Sequence, residues 1–536
     1  MESEYRDFWE LPYPEEIKFG LLKSFLQARA IISWLTDLEK INTHKLDDAE
    51  VIYRDGAAVV QESLGGRVAT EVLNKAKAVE RAVYNISAAL VPPELDELPA
   101  ISIEPYHPFE WILEVSVKEK SSGQISKLRP LVILDDVHTL HPDQLIHIRD
   151  WLAKREMRIS RWMLMRLDAQ TPEAVLLEGI TNPSTMDVGS TIQESREITK
   201  IWLQSSEDRA ANRRNFKAMA KSMADKKLRL MPVFHRQGLI SIQDLLNSQP
   251  TPLSPTNLKK LQKKVDVFQR NSNIPLKTRD TLKQEIKNYF TGSKDIRGGE
   301  DVELAMLLIL LNRYVKRVPQ AGLFENESPI EPSKPIKANA GVADGAKIFL
   351  LHEYGRPYYY GIDAICHGSS ENAEQFLHLA GRLVNASEAK IIKGSPAELP
   401  SKYQHQLLQE KAQEIVQSWA FPFHAEVKRL CDYIAQQCVN KSLEPNASLD
   451  GGANAVGILD EEFKLIATNH QELAHVLKFG VAYNAFSIKR HYKVKNQSLT
   501  LIELTGPILI NKGLTFTRGG ILERDLAYLL KILGGK

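Results

Sequence analysis

The sequence predicts an α/β segment followed by mainly helical domains, and three observations lead to this prediction. The chain has 536 residues, enough for three to four domains. Between residues 128 and 169, an apolar run ending in two acids, a helical pattern and a second apolar run follow one another, as in a strand–helix–strand unit. Helical periodicity prevails before and after that unit.

Composition and charge exclude several classes of protein. With 69 Lys and Arg against 67 Asp and Glu, the net charge of +2 does not predict a dedicated nucleic-acid or membrane binder, so any basic surface must be local. The three cysteines form no CxxC pair, which argues against a disulfide framework or a cysteine zinc site and favours the cytoplasm. We expect no membrane partner, because the sequence has no secretory signal and the apolar run 302–315 is too short to span a bilayer.

The first half of the α/β segment is predicted to be helical. Apolar residues recur at intervals of three and four from residue 17 to about 89, the pattern of amphipathic helices. The prolines at 91–93 interrupt this pattern, and HPFEWILEVSV, from residue 107, indicates an extended segment or a short helix.

The strand–helix–strand unit carries the clearest motif. Leu131–Leu134 form a run that is apolar on both faces, as in the central strand of a parallel sheet, and Asp135 and Asp136 follow directly. A helical pattern comes next, and the second apolar run leads to Arg166. Carboxylates after a buried strand suit Mg²⁺ and an attacking water, and an arginine after the neighbouring strand suits a terminal phosphate. The alternative is that both strands simply end in solvated charges.

Beyond residue 190 the pattern is strongly helical, with two basic stretches. Residues 207–229 hold eight Lys or Arg against three acids, and residues 259–294 hold ten against three. Each could contact a phosphate backbone, or be an ordinary solvated helix face. The Pro- and Ser-rich segment 328–335 is predicted to be a linker, and we place a domain boundary near residue 335.

After the linker, the tyrosines of GRPYYYG at 355–361 are predicted to form a packed core corner, with stacking on a base as the alternative. Helices then lead to a C-terminal segment, 449–536, in which helices precede a short two-stranded wing. Four basic residues in that segment are candidates for nucleic-acid contact: Lys489, Arg490, Lys493 and Lys495.

Together, LVILDDVHTL and SRWMLMRLDA resemble the Walker B and sensor strands of AAA+ and STAND ATPases, in particular the origin-recognition-like branch of prokaryotes. The segment HEYGRPYYYGIDAICHGSSENAEQFLHLA looks like the lid region of that branch, and the C-terminal block like its winged helix. The resemblance implies ATP and Mg²⁺ as cofactors. It makes Asp135 the metal and cofactor ligand, Asp136 and Arg166 the catalytic residues, and Arg356 a lid-side nucleotide contact.

One departure from the family pattern bears on activity. The family carries a GxxxxGK[ST] loop before Walker B, and no glycine cluster of this sequence matches it. Either the chain begins after that loop, as a truncated or split gene product would, or it has lost phosphate binding. The acidic, helical start favours truncation, and ATP hydrolysis by this chain alone is left open.

The predicted fold class is therefore α/β plus mainly α, with a partial P-loop NTPase core, helical domains and a winged-helix-like C-terminal domain. Its predicted domains are 1–175 (ATPase core), 176–335 (helical, basic), 336–448 (lid-like) and 449–536 (winged-helix-like). The predicted function is an origin-recognition-like or STAND-type ATPase that couples nucleotide state to DNA or partner binding, in phage defence or genome maintenance. The partner is another protein or a second copy of this chain in a homo-oligomer. The alternative is a non-catalytic helical scaffold that binds a protein partner.

Overall fold

The computed structural model describes residues 4–41, 46–98, 106–118, 124–178, 198–199, 201, 209–292, 298–317, 336–448, 451–494 and 496–534. These residues form two compact units. Unit 1 comprises Met1–Ala169 and Pro183–Ile201, and unit 2 comprises Gln170–Asn182 and Trp202–Lys536.

Unit 1 contains both sheets of the N-terminal half. Its helices are α1 (Glu4–Asp7), α2 (Glu15–Ile41), α3 (Ala58–Ser63), α4 (Ala69–Ser87), α5 (Pro108–Trp111) and α6 (Pro142–Leu152). Its strands are β1 (Ala49–Tyr53), β2 (Ile112–Lys118), β3 (Ile125–Leu128), β4 (Leu131–Leu134) and β5 (Ser160–Met163). β1, β2 and β3 form an antiparallel sheet in that order, and β4 pairs in parallel with β5.

The predicted amphipathic helices are confirmed as α2 and α4, which pack against each other through their apolar faces. A buried glutamine fixes α2 to the start of α5, because the Gln27 side chain donates to the Tyr106 carbonyl and accepts from the Phe109 amide. HPFEWILEVSV, predicted as an extended segment or a short helix, contains both, since α5 leads directly into β2.

The strand–helix–strand prediction is confirmed by β4, α6 and β5. The prediction that β4 is buried on both faces is wrong. Val132 and Leu134 are buried, whereas Leu131 and Ile133 are 38% and 48% exposed. Burial alternates because, in the described part of the chain, this sheet has two strands and one packed face.

Unit 2 is mainly helical, and its helices fall into an upstream and a downstream group. The upstream helices are α7 (Arg209–Arg229), α8 (Pro232–His235), α9 (Pro255–Asn271), α10 (Leu276–Gly292), α11 (Glu300–Arg317), α12 (Ala340–Tyr354) and α13 (Gly361–Gly368). The downstream helices are α14 (Ala373–Ile392), α15 (Ser401–Gln417), α16 (His424–Ser442), α17 (Asp460–Asn469), α18 (Gln471–Ala482), α19 (Gly506–Lys512) and α20 (Leu526–Gly534).

The apolar run 302–315 belongs to α11, the central helix of one core. α9 and α10 both pack against α11, whose residues from Val302 to Leu311 are almost all buried. Among the described residues, no helix is long and apolar enough to cross a membrane.

The C-terminal part of unit 2 is built around a four-stranded sheet. Its strands are β6 (Ala453–Leu459), β7 (Phe486–Val494), β8 (Gln497–Leu504) and β9 (Gly520–Glu523), in the order β7-β8-β6-β9. The predicted two-stranded wing is present as the antiparallel β7–β8 hairpin, but β6 extends it antiparallel and β9 adds a parallel edge. Val175 and Leu176, from the part of unit 2 that follows Ala169, are buried, and Leu176 lies in the core around this sheet.

The tyrosine corner is confirmed as core. Tyr359 and Tyr360 are fully buried, and the Tyr359 hydroxyl lies 2.9 Å from the Leu509 carbonyl and 2.7 Å from the Leu514 carbonyl. The Tyr359 ring stacks on His405, whose Nδ1 accepts the Tyr359 amide proton. Burial lowers the pKa of His405 to about 4, so the imidazole is neutral in the folded protein.

We predict that His405 makes the protein acid-sensitive. Between pH 6.5 and 4 the unfolded chain binds a proton at His405 that the folded chain does not. The free energy of unfolding therefore falls as the pH drops through this window, by up to about 3 kcal/mol from this residue. Urea unfolding from pH 7 to 4.5 should show a shallower decline for His405→Asn, whose amide oxygen can still accept a hydrogen bond. His235→Asn, at an exposed position, should follow the parent, and equal slopes for all three proteins would contradict this account.

Candidate functional site

The parallel pairing of β4 and β5 brings the predicted acidic and basic residues to one sheet edge. The strands pair in register from Leu131 opposite Ser160 to Leu134 opposite Met163, so their carboxyl ends lie side by side. Asp135 and Asp136 follow β4 directly, and Arg166 is in the loop after β5. Three of the predicted site residues are therefore grouped by the fold.

Backbone hydrogen bonds hold the two loops together beyond the strands. The Leu164 amide donates to the Leu134 carbonyl at 2.8 Å, and the Val137 amide donates to the Leu164 carbonyl at 3.2 Å. These bonds fix the path of the chain on both sides of Asp135 and Asp136, so the position of the acids depends on the loop after β5.

The two aspartates occupy a tight turn. Asp136 has φ 53° and ψ 38°, in the left-handed region, which aspartate tolerates better than most residues. The Asp135 carboxylate accepts the Asp136 amide proton at 2.9 Å, and Thr139 bonds the Asp136 carbonyl through both its amide and its hydroxyl. The turn leaves the Asp136 side chain 57% exposed, with Oδ1 3.8 Å from Nδ1 of His138.

Arg166 lies in the β5 loop with an acidic neighbour. Its Nη2 is 3.3 Å from Oδ2 of Asp168, and the Arg166 side chain is half exposed while that of Asp168 is mostly buried. The guanidinium is thus held in place while part of it faces solvent. Sequence reasoning missed Asp168 and His138, although each is two residues from a predicted site residue, and proximity along the chain was the available signal.

The structure gives Arg356 a buried partner in unit 2. Its Nε donates to Oδ2 of Asp301 at 2.7 Å, and the two side chains are 3% and 1% exposed. Asp301 also accepts the Leu253 and Val302 amide protons at 3.0 and 2.8 Å. A guanidinium buried in this way reaches a ligand only if the ion pair opens, so a nucleotide contact by Arg356 stays a prediction.

The predicted nucleic-acid residues are on or beside the β7–β8 hairpin. Lys489 and Lys493 are on β7, Lys489 half-buried and Lys493 exposed. Arg490 instead donates to the Leu177 carbonyl at 2.7 Å, and burial lowers the pKa of its guanidinium. Lys495 lies outside the described residues.

A polar cluster around the carboxylate of Asp460, which sequence reasoning missed, supports the same hairpin. Asp460, at the start of α17, accepts hydrogen bonds from Ser498 and Thr500, both at 2.6 Å, and lies 2.8 Å from Nδ1 of His491. Burial alone raises the pKa of Asp460, but these hydrogen bonds lower it overall. Because Ser498 donates to the carboxylate and not to the imidazole, the grouping is not a nucleophilic triad; it anchors β8 and the bulge at His491 to α17.

Metal binding at the sheet edge rests on few donors. Asp135 and Asp136 offer hard carboxylate oxygens, which suit Mg²⁺, an ion that often uses one or two protein carboxylates besides phosphate and water oxygens. In the part of the chain that the structure describes, no group of three or more His, Cys, Asp or Glu could hold a metal ion by itself. The donor set therefore fits Mg²⁺ that arrives together with a phosphate ligand.

A comparison with known families finds one match that covers most of the chain. A family model described as ORC-CDC6-like matches residues 19–502, which include the β4–β5 edge and nearly all of the β7–β8 hairpin. Neither a curated protein nor a solved structure matches the chain.

We predict that the Arg356–Asp301 pair is a stability determinant of unit 2. Replacing Arg356 with Met leaves the Asp301 carboxylate buried without its counter-charge, which should lower the free energy of unfolding by about 3–5 kcal/mol. Arg382→Met is the matched control, because Arg382 pairs with Glu410 at a partly exposed position, where about 1 kcal/mol or less is expected. Urea unfolding measures both. Similar losses for the two variants would contradict a special role for the buried pair.

Proposed function

The chain belongs to the ORC-CDC6-like family, an origin-recognition-like branch of the AAA+ ATPases, and we propose that it couples its nucleotide state to engagement of DNA or of a partner protein. The observation that carries this proposal is the parallel β4–β5 pairing, which groups Asp135, Asp136 and Arg166 at one sheet edge. Acids beside an arginine at the carboxyl ends of adjacent parallel strands suit a metal-bound triphosphate.

Each residue at the edge has a role that its environment supports. Bound Mg²⁺ would neutralise phosphate charge. Asp135, whose carboxylate accepts the Asp136 amide proton, would hold the ion directly or through water. Asp136 faces solvent and could orient an attacking water, and Arg166 could exchange Asp168 for the terminal phosphate, a stronger bidentate partner.

Phosphate binding needs groups beyond this edge. The printed sequence has no GxxxxGK[ST] segment, the loop whose amides, lysine and hydroxyl hold the phosphates in P-loop proteins. We therefore propose that tight nucleotide binding requires such a loop from a further polypeptide segment or from another protein.

The order of elements in the C-terminal part of unit 2 supports a winged-helix module. α16, β6, α17, α18, β7 and β8 follow one another, and the three antiparallel strands lie in the order β7-β8-β6. In such a module α18 would be the recognition helix. Its exposed positions include Gln471 and Glu472, and its Lys478 is buried, so we assign DNA contact mainly to Lys489 and Lys493 of the hairpin.

The proposed biological setting, phage defence or genome maintenance, rests on the family resemblance. We also propose a homo-oligomer, in which subunits would share their nucleotide state. The second candidate function is a non-catalytic scaffold that binds a protein partner. The missing phosphate loop favours it, as do the apolar side chains of Leu131, Ile133 and Trp162 on the exposed face of the β4–β5 sheet.

We predict that the full chain alone binds a fluorescent ATP analogue weakly in the presence of Mg²⁺, and that Asp135→Ala/Asp136→Ala weakens this binding at least ten-fold. The reason is the loss of two oxygen donors at the metal position, and fluorescence anisotropy measures the affinity. Asp143→Ala/Asp150→Ala is the matched control, since it removes two exposed carboxylates from the neighbouring helix α6.

Selective weakening by the first pair, with unchanged circular dichroism, would support the nucleotide site. Equal effects of both pairs would assign the loss to overall charge and contradict the site. No binding by the parent would overturn nucleotide binding by this chain alone and favour the scaffold.

A further inference from the structure

We propose that the outer face of the helix pair α9 and α10 binds the phosphate backbone of duplex DNA independently of base sequence. This surface, the α9–α10 face, consists of Lys259, Lys260, Lys263, Lys283 and Lys287. The choice of DNA as the ligand rests on the proposed function, while the surface itself rests on the charge and packing of these helices.

Positive charge is concentrated in this short part of the chain. Residues 255–292 contain nine Lys or Arg against three Asp or Glu, whereas the whole chain has 69 against 67. The pair of helices is therefore strongly basic in a nearly neutral protein, as local attraction of a polyanion requires.

Packing directs the lysines away from the core. Leu261 and Val265 of α9, and Leu282 and Ile286 of α10, are buried against α11. At 100° per residue, Lys259, Lys260 and Lys263 fall on the side of α9 opposite its buried residues, and Lys283 and Lys287 lie outside the buried stripe of α10. All five lysines are exposed.

Two acids near this face are paired with other cations. Asp266 is paired with Arg279 at 2.8 Å, and Glu353 of α12 is taken by Lys264 at 3.2 Å. Within the described ranges, the five lysines of the α9–α10 face form no ion pair.

The other basic helix, α7, provides the contrast. Arg213 pairs with Glu371, Lys217 forms a close ion pair with Asp363, and Lys221 donates to Gln243. These three cations connect α7 to the rest of unit 2. Three cations of α7 therefore have partners within unit 2, whereas the five lysines of the α9–α10 face are exposed and form no ion pair among the described residues.

The dimensions and chemistry of the face suit a duplex backbone. On α9, Lys259 to Lys263 extend about 6 Å along the helix axis, roughly the spacing of two successive phosphates of one DNA strand. The aromatic residues of the pair, Phe268, Tyr289 and Phe290, pack against the core, so the face lacks the stacking platforms that single-stranded binding uses. Exposed lysines without base-reading groups predict sequence-independent duplex binding.

The test compares two lysine pairs by fluorescence anisotropy with a 30-base-pair duplex and a scrambled duplex, from 50 to 250 mM salt, with and without Mg²⁺ and ATP. Lys260→Gln/Lys263→Gln should weaken binding to both duplexes on the order of ten-fold at low salt and reduce the slope of log affinity against log salt by about two. Lys393→Gln/Lys402→Gln, which removes two exposed charges elsewhere in unit 2, should bind like the parent. Lys489→Gln/Lys493→Gln reports separately on the β7–β8 hairpin.

The outcomes separate this inference from the proposed function. If the parent binds DNA and Lys260→Gln/Lys263→Gln binds like Lys393→Gln/Lys402→Gln, the inference is overturned. Lys489→Gln/Lys493→Gln still tests DNA engagement by the hairpin in that case. If Lys260→Gln/Lys263→Gln lowers the affinity for poly-glutamate but not for duplex DNA, the face binds an acidic protein and the inference also fails. If the parent binds no duplex at 50 mM salt, both the inference and the DNA part of the proposed function fail. Unchanged thermal unfolding of every variant excludes loss of fold as the cause.

Discussion

The candidate site depends on one interaction, the parallel hydrogen-bonded pairing of β4 with β5. Two four-residue strands contribute little stability by themselves, but their register and the bonds through Leu164 determine where the following loops begin. Asp135 and Arg166 are 31 positions apart in the sequence and reach one edge only because a helical crossover returns the chain in the same direction. Any nucleotide chemistry of this chain would be organised by that pairing.

The partners that a charged side chain has in the fold decide whether it can contact a ligand. The guanidinium of Arg356 pairs with a buried carboxylate and that of Arg490 donates to a backbone carbonyl. Arg213 and Lys217 of α7 pair with acids of neighbouring elements. The lysines on the outer side of α9 and α10 have no such commitments in the described part of the chain. A basic composition therefore makes a candidate binding surface only where packing directs the side chains outward and no internal acid compensates them.

The C-terminal part of unit 2 shows how a local pattern is completed by distant segments. The β7–β8 hairpin was predicted as a two-stranded wing, yet β6 from upstream in the sequence pairs with β8, and β9 from downstream pairs with β6. Leu176, which follows the α/β segment, is buried in the same core, and Asp460 anchors β8 through hydroxyl hydrogen bonds. These contacts bury apolar side chains and satisfy hydrogen-bonding groups between residues that are far apart in the sequence. A short stretch of sequence does not contain both partners.

The sequence by itself determined the helical periodicity of α2, α4 and α11, the strand–helix–strand unit, and the placement of two acids and an arginine after strands. These features depend on short-range patterns of apolar and charged residues. It also contained the resemblance that the ORC-CDC6-like match bears out. Tertiary structure alone decided that β4 is packed on one face, that Arg356 pairs with Asp301, and which lysines and arginines of the basic helices have internal partners. The physical reason is that burial and ion pairing depend on which elements meet in space, whereas periodicity depends only on neighbours in the chain.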